Sequence, residues 1–381
     1  MALRGIRVLE LAGLAPAPFC GMILADFGAD VIRVDMPISR RAVVDRMARG
    51  KRSIGIDLKQ QRGRELLKKL ADRSDVLIDP YRPGVLEGMG LGPIELFKTN
   101  PGLVVARITG YGQDGPLSKV AGHDINYVAT SGVLSMLGKS KAPPFPPVNL
   151  LADFAGGGLL TAMGVCAALF ERSKSGKGQV VDTSMTEGTA YISAFLWRTR
   201  CSEGGVPIWF TERGSNLLDG GVHFYQTYET SDGKYMAVGA LEPQFYAEFV
   251  KGLGKNPDEF PQMQNMDEAK EEVSKIFKAK TQAEWTAIFK DTDACVTPVI
   301  DFEEVAENEL HKARGTFVKY GGALAPMPSP RLSRTPAQLS KLCDPKIGEH
   351  TLEILEELGI SQAETDSLIK DNVVNLTKAK I

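Results

Sequence analysis

Histidine and cysteine are scarce in this chain, with four and five residues among 381, and their scarcity removes whole classes of chemistry. The cysteines (Cys20, Cys166, Cys201, Cys295 and Cys343) are odd in number and include no CxxC pair. They describe free, mostly buried thiols in a reducing compartment rather than a disulfide framework. Around His123, His223, His311 and His350 no second His or Cys stands at ligand spacing, so no metal cluster is expected. Charge of one sign is missing as well: 45 basic against 47 acidic residues leave a net charge of -2. A dedicated nucleic-acid binder is not built that way. No apolar run reaches the ~20 uninterrupted residues of a membrane helix, because Leu150 to Phe170 carries Asp153 and a glycine triplet. No charged-then-apolar leader precedes the first strand-like segment, so no signal peptide is expected. After that segment comes Ala12-Gly13-Leu14-Ala15-Pro16-Ala17, which holds no GxGxxG, the phosphate fingerprint of NAD enzymes.

What remains is an ordinary globular composition, 43% hydrophobic and 24% charged. At about 150 residues per domain the length predicts two or three domains, large enough to bury a core without disulfides or a structural metal. Residues 7–11 read as a buried strand, 18–27 as a helix closed by Gly28, and 31–34 as a second strand, a βαβ unit. A helix over 62–72 presents Leu66, Leu67 and Leu70 on one face, and strands follow at 76–78 and 103–108. A long helix over 155–171, the turn Ser175-Gly176-Lys177-Gly178 and a strand at 179–182 continue the pattern. Strands alternating with helices imply a mainly parallel sheet covered on both faces. Later the texture changes. Segments 224–230 and 235–240 flank Ser231-Asp232-Gly233, a hairpin signal, and helices at 243–253, 267–278 and 282–290 precede a strand at 294–299. The fold class is therefore α/β: a large Rossmann-like domain (1–200, completed by 331–381) and a smaller α+β domain (224–312). Linkers at 201–223 and at 313–330, the latter with Ala325-Pro326-Met327-Pro328-Ser329-Pro330, join them, and a last helix over 348–358 packs back on the large domain.

Two segments carry the chemistry. Ala121-Gly122-His123-Asp124-Ile125-Asn126-Tyr127 and Asn149-Leu150-Leu151-Ala152-Asp153-Phe154-Ala155-Gly156-Gly157-Gly158 place a histidine and an aspartate thirty residues apart. An imidazole and a carboxylate on opposite faces of one carbon can remove a proton from one side and return it to the other. Asp153 precedes an apolar run and reads as a helix N-cap, at the positive end of the macrodipole. Backbone N–H groups there lack intrahelical partners and can hold a developing oxyanion. Glu242 before Pro243 reads as a loop residue opening a helix.

These segments resemble the family III CoA-transferases (CaiB/BaiF type), on the branch of the α-methylacyl-CoA racemases. The resemblance runs through Gly5-Ile6-Arg7-Val8-Leu9-Glu10-Leu11, Lys51-Arg52-Ser53, Gly110-Tyr111-Gly112-Gln113, Gly176-Lys177-Gly178-Gln179, Asp232-Gly233-Lys234-Tyr235 and Ile347-Gly348-Glu349-His350-Thr351. It implies a racemase acting on 2-methyl-branched acyl-CoA thioesters without a cofactor, in degradation of branched fatty acids and bile-acid intermediates, from a homodimer interlocked through its linkers. His123 then takes the proton from the S epimer and Asp153 from the R epimer, Asn149 hydrogen-bonds Asp153, and Glu242 orients His123. CoA contacts fall to Ile56, Asp57, Leu58 and Lys59, to Arg82, and to Gly122, His123, Asp124, Ile125, Asn126 and Tyr127. Met36 stands where vertebrate racemases carry an Arg, a place Arg40 or Arg41 can fill. Leu217, Leu218 and Met185 are candidates for an acyl channel.

The nearest rival is CoA transfer between carboxylic acids, with Asp153 as nucleophile; a second base has no use in it. A nicotinamide oxidoreductase lacks its glycine fingerprint, and a non-enzymatic scaffold leaves both motifs unexplained. The final Ala379-Lys380-Ile381 has the small-basic-aliphatic form of a peroxisomal address, and with the resemblance it leads us to expect a peroxisomal and mitochondrial location.

Overall fold

Short strands rich in Val, Ile and Leu, each with at least one charged residue, alternate with helices and build a sheet that is covered on both faces, as parallel sheets require. In this computed structural model, which describes residues 1–37, 45–200, 208–209, 211–340 and 344–377, the chain forms two compact units. The first comprises Met1–Ser131, Val148–Ile192 and Arg314–Ile381, the second Gly132–Pro147 and Ser193–Ala313. Gly132–Pro147 and the end of the segment expected in the large domain thus group with the second unit.

In the first unit β1 (Arg7–Leu11), β2 (Asp30–Asp35), β3 (Arg52–Ile56), β4 (Val76–Asp79), β5 (Val104–Thr109) and β6 (Val180–Ser184) lie parallel in the order 3-2-1-4-5-6. This is the doubly wound arrangement. A last strand, Val374–Asn375, pairs antiparallel with β3. Two helices show how the faces are covered: α1 (Pro16–Asp26) on one side and α2 (Gln61–Ala71) on the other. The stripe Leu66, Leu67, Leu70 of α2 joins Leu9, Leu11, Ile32, Ile54 and Leu77 in one core, as a helix amphipathic at a 3.6 period must. Beneath α1 the alternate side of β1 presents Glu10, whose Oε2 lies 2.7 Å from Lys51 Nζ with both side chains fully buried. Lys51 also donates to the Pro18 carbonyl of α1 at 2.9 Å. Burial pushes the Glu10 carboxyl up to about 7, against the pull of Lys51. Removing either partner would strand a buried charge.

The structure departs from the sequence expectations in several places. No strand is read from the sequence over Arg52–Ile56, because RSIGI is short, polar at Ser53 and interrupted by Gly55; pairing with neighbouring strands makes it β3. The expected linker 313–330 holds a ribbon, Phe317–Tyr320 against Ala323–Pro326, turned by Gly321 and Gly322 at positive φ. The helix expected over 348–358 is present as Thr351–Glu357, and a second helix, Gln362–Lys370, and the last strand follow it unread from the sequence. Finally, residues Leu150–Ser175 form one 26-residue helical rod, long and apolar enough by composition to cross a membrane; Asp153 and the glycines do not interrupt it. In this chain one side of that rod is buried by the sheet and its helices.

In the second unit β7 (Tyr225–Glu229), β8 (Tyr235–Gly239) and β9 (Val296–Pro298) form an antiparallel sheet in that order. Gly233 turns the hairpin at φ 75°. Helices Pro243–Gly252, Met266–Phe277 and Gln282–Phe289 bury Phe249, Phe277, Trp285 and Phe289 against it.

Candidate active site

The chain leaves β1 toward β2 on one side and β4 toward β5 on the other, so a crevice opens beyond their carboxyl ends at the point where the strand order reverses. A cavity of about 610 Å³ occupies it. Gly13 follows β1, Pro80 to Arg82 follow β4, and Gly110 and Tyr111 follow β5; His123, Tyr127, Asp153 and Met185 complete the wall. The Rossmann-like order thus brings together the two segments singled out in the sequence.

Asp153 is not an N-cap. The rod begins at Leu150 with a wide, π-type stretch, Leu150–Leu159, capped by Asn149 in the left-handed conformation at φ 61°. Wide winding of this kind is rare, occurs mostly as single turns within helices, and is frequent at functional sites. Its geometry follows from the glycines. The stretch packs on α5 (Met185–Ile192) and on α3 (Asp124–Thr130), and α4 (Leu160–Ser175) continues it. A Cβ on Gly156 would stand 2.7 Å from Thr189 N, one on Gly158 2.7 Å from Pro16 O of α1, and one on Gly188 of α5 2.0 Å from Gly156 O. Only glycine permits backbones to approach so closely. This packing holds Asp153 at 8% exposure on the cavity wall. Asn149 Nδ2 donates to Asp153 Oδ2 at 2.7 Å. Burial pushes the Asp153 carboxyl above the usual range, the Asn149 hydrogen bond opposes that, the charge of Asp124 adds to it, and His123 draws it back.

The N–H groups of Ala152 and Asp153 are not open to an oxyanion, contrary to expectation: both donate to Asp124 Oδ2 at 2.9 Å. Asp124 was expected to touch CoA; its side chain is buried and turned to this task. His123 precedes it as the N-cap of α3, exposed on the cavity wall, its N–H held by Asn126 Oδ1 at 3.0 Å. Tyr127 donates to the Gly122 carbonyl at 2.5 Å and stacks edge-on against Tyr111 at 5.1 Å. Its ring fills the space left by Gly110 and Gly122, where a Cβ would stand 2.1 and 2.6 Å from it. Burial pushes the Tyr127 phenol up to about 12, so it remains a donor. Sequence reasoning missed this tyrosine pair as a support; the glycines flanking it were its signal.

Arg82 is exposed on the wall, its guanidinium directed to the Lys119 carbonyl at 3.5 Å. Ile56, Asp57, Leu58 and Lys59 lie outside the cavity, at the carboxyl end of β3. Ile56 is fully buried in the core, so only its backbone can meet a ligand, and Asp57 accepts from Lys59 N and Gln60 Nε2. Ile125 is exposed off the cavity wall. Met36 is 63% exposed after β2. Glu242 is exposed on the second unit at the N-cap of Pro243–Gly252. Met185 lines the cavity, whereas Leu217 packs on the second unit's core and Leu218 lines a separate cleft there. His223 is a core residue: Nε2 meets Tyr246 Oη at 2.8 Å, and burial lowers it to about 4. Arg40, Arg41 and Ala379-Lys380-Ile381 lie outside the described residues.

The model of CoA-transferase family III matches residues 3–351. The chain is 53% identical to the alpha-methylacyl-CoA racemase of Homo sapiens over 384 aligned residues, covering 100% of this chain and 99% of the human one. It is equally similar to that of Mus musculus. The beta subunit of succinyl-CoA–L-malate CoA-transferase of Chloroflexus aurantiacus is 31% identical over 98% of each chain. Among solved structures, a CAIB/BAIF family protein from Brucella suis superposes with a TM-score of 0.77 at 26% identity, over 93% of this chain and 99% of its own.

Proposed function

The chain belongs to CoA-transferase family III, and from that premise we propose that it is a cofactor-independent racemase interconverting the R and S epimers of 2-methylacyl-CoA thioesters. One observation carries the reading: His123 and Asp153 line the same cavity at the switch point. A transferase would use Asp153 alone. The hydrogen α to a thioester carbonyl is weakly acidic, so the enzyme must match a base to it and stabilise an enolate. A carboxyl pushed upward by burial is a stronger base than an ordinary aspartate and a competent acid on the return step. His123 removes the proton of the S epimer and Asp153 that of the R epimer; the other residue protonates the opposite face of the planar enolate. With Ala152 N and Asp153 N engaged by Asp124 and Asn126 N bonded to the His123 carbonyl, the enolate oxygen is served by the N–H groups of Asp124 and Ile125 at the start of α3, which lack intrahelical acceptors.

Asn149 steadies Asp153, and Glu242 is assigned to orient His123. Arg82 takes a phosphate of CoA, and the nucleotide extends along the carboxyl ends of the strands toward Asp57 to Lys59. We assign a homodimer too, supported by the exposed apolar row Leu159, Met163, Phe170 along one side of the rod. The location is proposed as peroxisomal, on the form of the C-terminal tripeptide.

The test is to incubate the protein with one epimer of a 2-methylacyl-CoA in deuterated water, following α-deuterium by NMR and the epimer ratio by chiral chromatography. Deuterium uptake with drift toward a mixture, lost in His123→Ala and in Asp153→Ala, is the expected result. CoA passing to an added free acid with no exchange would replace the racemase by the transferase.

A further inference from the structure

We propose that Asp124 is a positioning residue for both bases: its buried carboxylate locks the segment that carries Asp153 to the segment that carries His123 and sets a negative charge against Asp153. The inference rests on the racemase reading and deepens it.

Asp124 is 2% exposed, so its side chain faces the interior rather than a ligand in the cavity. A single oxygen, Oδ2, accepts the N–H of Ala152 and of Asp153 at 2.9 Å each, across 28 and 29 residues of chain. Charge-assisted bonds of this kind are about twice as strong as neutral ones. Asp124 is also the first residue of α3, directly after His123, whose own N–H is fixed by Asn126. The two base-bearing backbones are therefore joined through one residue, with no loop between the clamp and either base. A misplacement of about 1 Å in such a constellation costs on the order of a hundredfold in rate. The groups acting on the Asp153 carboxyl are Asn149, Asp124 and His123, with the Tyr127 phenol also near it. Asp124 is the anion among them.

Two variants separate geometry from charge. Asp124→Ala removes the clamp; Asp124→Asn is isosteric, keeps an acceptor oxygen and removes the charge. The readouts are α-deuterium exchange from each epimer, kcat and KM, the pH profile of kcat, and the Kd of a non-reacting CoA thioether. For Asp124→Ala we expect kcat to fall about 100-fold from both epimers, with the thioether Kd within twofold of wild type. Asp124→Asn is expected to stay within about tenfold of wild type, its acidic limb moving to lower pH because the neighbouring anion is gone. Should Asp124→Ala fail to fold, Asp124→Asn decides alone. Weaker thioether binding with kcat intact, or an acidic limb that does not move, overturns the inference while wild-type exchange leaves the racemase standing. A wild-type protein that exchanges no α-proton overturns both.

Discussion

The rod Leu150–Ser175 contains two regions that solve the same packing problem differently. From Leu150 to Leu159 the winding is wide, Gly156 and Gly158 meet the backbones of α5 and α1 while Gly157 meets the side chains of Met185 and Pro16, and Asp153 is held on the cavity wall. From Leu160 to Ser175 the helix is regular. Thr161, Ala162, Val165 and Ala168 are buried while Met163, Cys166 and Phe170 are exposed. Where chemistry is placed, the chain gives up side chains and regular α-helical winding so that backbones can pack directly on one another. Where only a layer is needed, side-chain burial suffices.

The largest way to break this contrast is to empty the first region of its charged group: Asp153→Ala should lower α-proton exchange by about 10³-fold, read as deuterium incorporation. Next comes the backbone contact itself. Gly188→Ala puts a Cβ 2.0 Å from Gly156 O and should destabilise the first unit by about 3 kcal/mol in urea unfolding. A third variant sharpens the electrostatic side. Because burial raises the Asp153 carboxyl, the folded state holds that proton more tightly than the unfolded one. The stabilisation from this group is full below the unfolded pKa and is lost as pH rises through the folded value. Asp153→Asn should therefore melt above wild type at pH 7, a gain that shrinks toward pH 4. In the second region the same kind of change should be mild. Gly164→Ala meets only Val181 Cγ1, at 2.8 Å, and gains up to about 1 kcal/mol of helix propensity, so unfolding should shift by less than about 1 kcal/mol. Met163→Ser, on the exposed side, should change unfolding by under about 0.5 kcal/mol while weakening self-association in sedimentation.

The same contrast explains what was legible in advance. β1, β2, β4 and β5 are short runs dominated by Val, Ile and Leu, whose burial those letters announce, and the stripe of α2 needs only its period. The hairpin at Asp232-Gly233 follows from local turn chemistry. The start of the rod does not. Its leucines, alanines and glycines read as a helix beginning after Asp153, and what moves that start to Leu150 includes a carboxylate at Asp124, 28 residues upstream of the first amide it holds. Nor could local pattern show that Ile56, grouped with CoA contacts, belongs to the core, since β3 exists only through its neighbours. His123, Asp153 and Asn149 were visible as motif residues; the meeting of His123 and Asp153 in one cavity depends on strand order, which no short window contains.

The pairing of Val374–Asn375 with β3 also has a consequence in time. Asp57 N reaches the Val373 carbonyl at 2.8 Å, and Ile56 faces Val374, so the outer edge of β3 is covered by residues made more than 300 positions later. At ribosomal rates of about 5–20 residues per second that edge stays open for roughly 15 to 60 s. All of the second unit is synthesised in that interval. An uncovered parallel strand is a template for wrong partners, and a nascent chain of this protein carries that hazard until Val374 and Asn375 emerge.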